Sequence, residues 1–182
     1  MISMPPIEPL LFNLKEDILL PQEDCSIGKK VVLEFLEYHN QLRAAHRSPM
    51  LTYSTELSIH AQDWAEHVSR TTCNCISHRN NLVDFGENVG NLHYKYFAQD
   101  NPGKVLMDLW YKEIYNYDFN EPGWRERTGH FTQMVWKESQ LIGIGIKRIE
   151  DCYMIVCNYF PKGNITGRED YIRNVSPPSN LQ

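Results

Sequence analysis

The chain has 182 residues, of which 42% are hydrophobic and 23% charged, and a formal net charge of −5. That length suits one domain with a real core plus short extensions, and the acidic balance argues against a nucleic-acid partner, which needs a concentrated basic face. No apolar run reaches the roughly 20 residues that cross a bilayer.

Residues 1–28 read as an N-terminal extension with four prolines and an acidic bias. Leu11, Leu14 and Ile18 are spaced for a short amphipathic turn. Met1 to Pro6 carries no basic stretch, and Lys15, Glu16 and Asp17 separate two apolar patches, so no signal-peptide core is expected. Ile2 stands where N-myristoylation of this start would need glycine.

From Lys30 to His46, Val32, Phe35, Leu36 and Leu42 recur at helical spacing, and Ser48-Pro49 ends the helix. A second helix is expected over Ser54 to Arg70. Leu57, Ala61, Trp64, Ala65 and Val68 share its stripe, and Ser54 or Thr55 is its N-cap. Gly86-Glu87-Asn88-Val89-Gly90 reads as a glycine-flanked polar turn at a site edge. His93-Tyr94-Lys95-Tyr96-Phe97 is an aromatic loop, suited either to a membrane surface or apolar ligand, or to covering the core.

A third long helix spans Pro102 to Tyr117, with proline near its start where it is tolerated. It places Glu113 on one stripe with Leu106, Trp110 and Tyr117, so this carboxylate is at least partly buried. Thr128 is positioned to cap a short helix running through Gly129-His130-Phe131-Thr132-Gln133-Met134-Val135-Trp136, on which His130 and Met134 share a face. Leu141 to Ile149 and Tyr153 to Phe160 form a hairpin around Glu150-Asp151, with Ile142, Ile144 and Ile146 on one side. The tail from Asn174 to Gln182, with Pro177-Pro178, is irregular.

His78, Glu87, Glu113 and His130 are the strongest chemical constellation. Imidazole with carboxylate suits zinc or another borderline divalent ion, and Glu87 or Glu113 could act as base toward a bound water. No HExxH pair fixes two ligands on one turn, so the fold must bring the four together, and spacing alone favours hydrogen-bonded structural histidines over a metal site. His39, His46, His60, His67 and His93 fall mostly on helix surfaces or loops. There is no G-x-S-x-G elbow and no phosphate loop. Five cysteines cannot all pair within one chain, and an odd count without a signal segment favours a reducing compartment. The sequons at Asn164 and Asn174 point the other way, although such triplets often arise by chance.

Gly129 to Trp136 and Cys157-Asn158-Tyr159-Phe160-Pro161-Lys162-Gly163-Asn164 resemble the two hallmark motifs of the CAP superfamily of cysteine-rich secretory, antigen-5 and pathogenesis-related proteins. His39-Asn40-Gln41-Leu42-Arg43, Gly86-Glu87-Asn88 and Trp110-Tyr111-Lys112-Glu113-Ile114 fit the remaining pattern. The resemblance runs from about Lys30 to Asp170 and draws domain boundaries at 1–28, 29–170 (the CAP domain) and 171–182 (a C-terminal tail). It implies an α+β fold, a three-layer α-β-α sandwich with a small antiparallel sheet between helices. It also implies that His78, Glu87, Glu113 and His130 converge in a central cavity where His78 and His130 hold a divalent metal such as Zn2+ weakly.

Secreted members usually carry cysteines where this chain has Thr128 and Ile144. Cys157 therefore lacks its usual mate, and only a bridge from Cys73 or Cys75 to Cys152 follows the secreted pattern. The chain looks most like the Golgi-associated, non-secreted branch, which implies an intracellular setting, cytoplasmic or peripheral on endomembranes; the alternative is an extracellular one, reached by an unconventional route or from a truncated precursor. The family resemblance implies binding of lipid, a sterol or fatty acid, with Tyr94, Tyr96 and Phe97 at the sterol loop; a membrane surface and a homodimer are further candidate partners. The alternatives are a metal-dependent hydrolase, with Glu87 or Glu113 as base, and a self-associating scaffold.

Overall fold

A computed structural model describes residues 25–68, 77–79, 84–96, 102–165 and 167–179, apart from the side chains of residues 25–28, Tyr94 and Pro102. Along these, the elements are α1 (Cys25–Ala45), β1 (Thr52–Tyr53), α2 (Thr55–Val68), β2 (Gly86–His93), α3 (Pro102–Tyr111), α4 (Gly129–Val135), β3 (Leu141–Ile149), β4 (Cys152–Phe160) and α5 (Arg168–Asn174). Short 3-10 turns cover Tyr94–Tyr96 and Lys112–Asn116.

The four strands form one sheet in the order β1-β3-β4-β2. The hairpin pairs Leu141 with Phe160 and Ile149 with Cys152, and β2 runs antiparallel along the other edge of β4 from Gly86 opposite Tyr159 to His93 opposite Cys152. The two residues of β1 add a parallel pairing at β3, Thr52 with Leu141 and Tyr53 with Ile142, so the sheet is mixed at one edge. Strand β4 is buried on both faces, and its alternation divides the core as the two-residue period of a strand requires. Tyr153, Ile155, Cys157 and Tyr159 face the larger core with Phe35, Trp110, Phe131 and Trp136, while Met154 and Val156 meet Ala61, Ala65 and Val68 of α2. Helix α2 thus covers one face, and α1, α3 and α4 cover the other: a three-layer α-β-α sandwich.

Glycine lets α2 approach closely. A Cβ on Gly143 would lie 2.2 Å from the carbonyl carbon of Leu57, and one on Gly145 would lie 2.3 Å from that of Ala61. Beyond β1 the edge of β3 is closed by side chains of this helix: Ile144 N–H donates to Ser58 Oγ at 3.0 Å and Ile146 N–H to Gln62 Oε1 at 2.9 Å. Ser54 caps α2 by accepting the Leu57 N–H at 3.2 Å.

Four expectations change. Gly86–Gly90 is not a turn but the first part of β2, since every residue from Gly86 to His93 pairs with β4. Here glycine marks close approach rather than chain reversal: a Cβ on Gly86 would meet Gln133 Oε1 at 2.0 Å. The third helix becomes 3-10 after Tyr111, so Glu113 sits on the tighter turn. His39 and His46 are fully buried rather than on the surface. Finally, α5 crosses the boundary drawn at residue 170, and Tyr171, Asn174 and Val175 are buried against the domain. Cys152 is disulfide-bonded, but Cys73 and Cys75 lie outside the described residues; Cys157 is free and buried.

Candidate functional site

Glu113 and His130 are joined by the way α4 begins. Thr128 occupies the N-cap position, yet its hydroxyl donates to Arg125 O at 2.7 Å and makes no cap bond. The cap is supplied across the chain by Glu113, whose Oε2 accepts the N–H groups of His130 at 2.8 Å and Phe131 at 3.1 Å. Carboxylates are favoured at a helix start because the first N–H groups have no partner within the helix. The other oxygen, Oε1, accepts from His130 Nδ1 at 2.8 Å. Burial alone would raise the Glu113 pKa, but His130 and the two backbone donors outweigh it and hold the carboxyl below its usual range. Trp110 stacks on the His130 ring, with centroids 5.5 Å apart and planes at 4°.

The second pair repeats this pattern on β2. Glu87 has a side chain only 1% exposed and accepts from His78 Nδ1 at 2.9 Å and from the Arg79 N–H at 3.2 Å. Asn158, its cross-strand neighbour, donates to Oε2 at 3.4 Å. Asn88 turns to the His130 side, donating to the His130 carbonyl at 3.2 Å. His78, Glu87, Glu113 and His130 line one open cavity of about 400 Å³, together with Trp124, Arg125, Arg127 and Asn164.

In both pairs Nδ1 donates to the carboxylate, so the neutral form of each ring carries its lone pair on Nε2. His130 Nε2 is buried and has no hydrogen-bond partner. A buried orphan nitrogen costs about 1–3 kcal/mol, so a bound ion or water suits it. His78, which lines the same cavity, is the second imidazole available to such an ion. Among the described residues no group of three or more His, Cys, Asp or Glu is arranged around a common metal position.

Tyr96 is partly buried against the main core, with Lys95 Nζ 5.0 Å from its ring centre. The side chain of Tyr94 and all of Phe97 lie outside the described residues.

Sequence reasoning missed the polar residues that build the scaffold of the site. Arg43 is fully buried and donates to four carbonyls: Pro49 at 2.7 Å, Met134 at 3.0 Å, Trp136 at 2.8 Å and Ser139 at 2.8 Å. It ties the end of α4 to α1. His39 donates from Nδ1 to Phe35 O at 2.9 Å and accepts at Nε2 from Tyr159 at 2.7 Å. A usable signal existed, because His39, Arg43 and His46 continue the helical stripe that Val32, Phe35 and Leu36 begin.

The family model of the Cysteine-rich secretory protein family (CAP) matches residues 36–159. The chain is similar to Golgi-associated plant pathogenesis-related protein 1 of Homo sapiens, at 36% identity over 154 residues, covering 84% of this chain and 97% of that protein. It is also similar to Protein PRY2 of Saccharomyces cerevisiae, at 37% identity over 143 residues, which is 76% of this chain but 39% of that protein. Among solved structures, NaASP2 with Zn2+ shares the fold at a TM-score of 0.59 and 23% identity, covering 78% of this chain and 85% of that one. Na-ASP-1 does so at a TM-score of 0.61 and 24% identity, covering 78% of this chain and 41% of that one.

Proposed function

The chain belongs to the cysteine-rich secretory protein (CAP) family, and from that premise we propose a non-catalytic lipid-binding protein whose central cavity also holds a divalent ion. One observation carries this reading. The cavity of about 400 Å³ falls in the size range of small-molecule sites, while the histidines and glutamates that line it close into two His–Glu pairs whose carboxylates are engaged.

A general base needs a lone pair that can reach a water. Glu113 spends its oxygens on the His130 ring and two backbone N–H groups, and Glu87 is nearly sealed by His78, Arg79 and Asn158. Among the described residues no serine, threonine or cysteine lines the cavity, and burial pushes the Cys157 thiol well up, away from nucleophilic use.

His78 and His130 would hold the ion through Nε2. Two protein ligands are one short of the three usual at catalytic zinc, so the ion would be weakly held and exchangeable. When bound, it would supply a positive centre with open coordination positions. Trp124, 60% exposed at the cavity, offers apolar surface beside this polar floor. The family bond to a Golgi-associated relative supports action at endomembranes, and among the described residues no helix is long and apolar enough to cross a membrane.

Native mass spectrometry after exposure to zinc and a mixed lipid extract tests the reading. A retained fatty acid or sterol, and a zinc adduct that disappears in the His78→Ala/His130→Ala double variant, are expected. Protein that retains no lipid, or peptide cleavage lost in both His78→Ala and Glu87→Ala, would overturn it in favour of a scaffold or a hydrolase.

A further inference from the structure

The two histidines of the cavity are held by different means. His130 belongs to α4; its ring stacks on Trp110 and its backbone N–H donates to Glu113. The His78 side chain is 56% exposed, and its ring is held at Nδ1 by Glu87. Ser77, His78 and Arg79 lie in no helix or strand. The aim of the His78 ring therefore depends on how the backbone to either side of it is fastened, since a free segment keeps its conformational entropy.

Both sides are fastened to α2. Before His78, Trp64 Nε1 donates to Ser77 O at 2.9 Å. After it, Arg79 Nη2 donates to His60 O at 3.1 Å and to Asp63 Oδ2 at 2.8 Å, and the guanidinium carbon lies 5.2 Å from the Trp64 ring centre. His67 stacks on the same indole, with centroids 4.8 Å apart and planes at 11°. Their spacing puts His60, Asp63, Trp64 and His67 along one face of the helix. The Asp63 pair alone adds little, because that carboxylate is 76% exposed. The Arg79 side chain, however, is only 25% exposed, and a carbonyl and an aromatic face hold it as well.

We propose that Trp64 and Arg79 are positioning residues for His78: they form a clasp on α2 that keeps the ring in its Glu87-bound orientation and so presents Nε2 to a divalent ion. The link to the ion rests on the metal part of the reading above; the orientation of the ring does not. Charge and positioning act with opposite signs at Arg79. Removing a cation beside the cavity favours a divalent ion, whereas releasing a held ligand weakens its binding. Arg79→Ala also keeps the backbone N–H that donates to Glu87 at 3.2 Å. Trp64→Phe removes the indole N–H and leaves an aromatic ring.

Two measurements on the full chain and both variants test this: zinc titration by calorimetry, and nitrogen NMR of the histidine rings without metal at one fixed pH above neutrality. Zinc affinity should fall about tenfold in Arg79→Ala and by less in Trp64→Phe. The His78 ring should pass from the Nδ1–H tautomer to a mixture of tautomers, with the His130 signals and the melting temperature unchanged. A His78 tautomer that survives in both variants would overturn the clasp, whatever zinc does. An altered tautomer with zinc affinity equal or higher in Arg79→Ala would overturn its link to the ion. Changes that spread to His130 or lower the melting temperature would overturn positioning in favour of general stabilisation. No zinc binding by the wild type would overturn the metal reading, and the His78 tautomer would then decide the clasp by itself.

Discussion

Arg43 is a cation buried without a carboxylate, and its charge is offset by four backbone carbonyls. Burial lowers its pKa to about 10, so it remains charged at neutral pH. Arg43→Met leaves those carbonyls unpaired and should cost about 3 kcal/mol or more in urea unfolding, and Arg43→Lys should not restore it, since a point ammonium cannot span the fork. A loss under about 1 kcal/mol in the Met variant would refute that role for Arg43. His39 governs the acid side. Burial, with Arg43 nearby, pushes its pKa from 6.5 to about 3 despite the bond to Phe35. Between those values the unfolded chain binds a proton that the folded chain refuses, so stability falls as pH drops through this window. His39→Gln should flatten the melting temperature against pH there; an unchanged slope would contradict the assignment. The stripe of α3 made Glu113 legible in the sequence as a half-buried carboxylate. The stripe of α1 also placed Arg43 on its buried face, but its role was not legible, because a buried arginine that bonds only to carbonyls has no partner residue type to search for.

At the scale of elements, the cavity depends on how short segments are anchored. Glu113 is both cap of α4 and partner of His130, and its carboxyl is held below the usual range. A depressed folded pKa means stability that is full above the unfolded value of 4.5 and lost as pH falls through the folded value. Glu113→Gln should lower stability by about 1 kcal/mol near neutrality and weaken the decline below that value, as read from chemical melts across pH. Gly145 fixes the distance from α2 to the sheet. Gly145→Ala places a methyl 2.3 Å from the Ala61 carbonyl carbon and should cost about 2–3 kcal/mol, whereas a neutral effect would show that the helix can shift freely. Helices α1 and α2 and the hairpin were legible because their apolar periods are long and unbroken. Strand β2 was not: Gly86, Asn88, Gly90 and Asn91 have poor strand propensity, and pairing with the fully buried β4 overrides it.

Across the whole molecule, the C-terminal segment is part of the domain. His46 bonds Ser176 O at 2.6 Å and Tyr111 at 2.8 Å, Lys137 reaches Ser176 Oγ at 2.6 Å, and Tyr171 packs edge-on against Trp136. Removing residues 168–182 should therefore lower the melting temperature sharply, and an unchanged melting temperature would contradict that anchoring. The reading of Asn174 to Gln182 as an irregular tail came from its prolines and could not register burial created by α1 and α4. Both sequon asparagines are also built in, Asn164 to Gly129 and Thr132, and Asn174 to Asp170 and Glu138, so a glycan at either would break the fold around it. On the reading proposed above, the ligand sits in the cavity between the His78–Glu87 and His130–Glu113 pairs. Amide and indole NMR shifts of isotopically labelled protein titrated with decanoate test it most directly. Shifts should concentrate at Trp124, Arg127, His130 and Asn164; shifts confined to the Lys95–Tyr96 turn, or to the separate groove lined by Glu34, Tyr38 and Lys104, would contradict it.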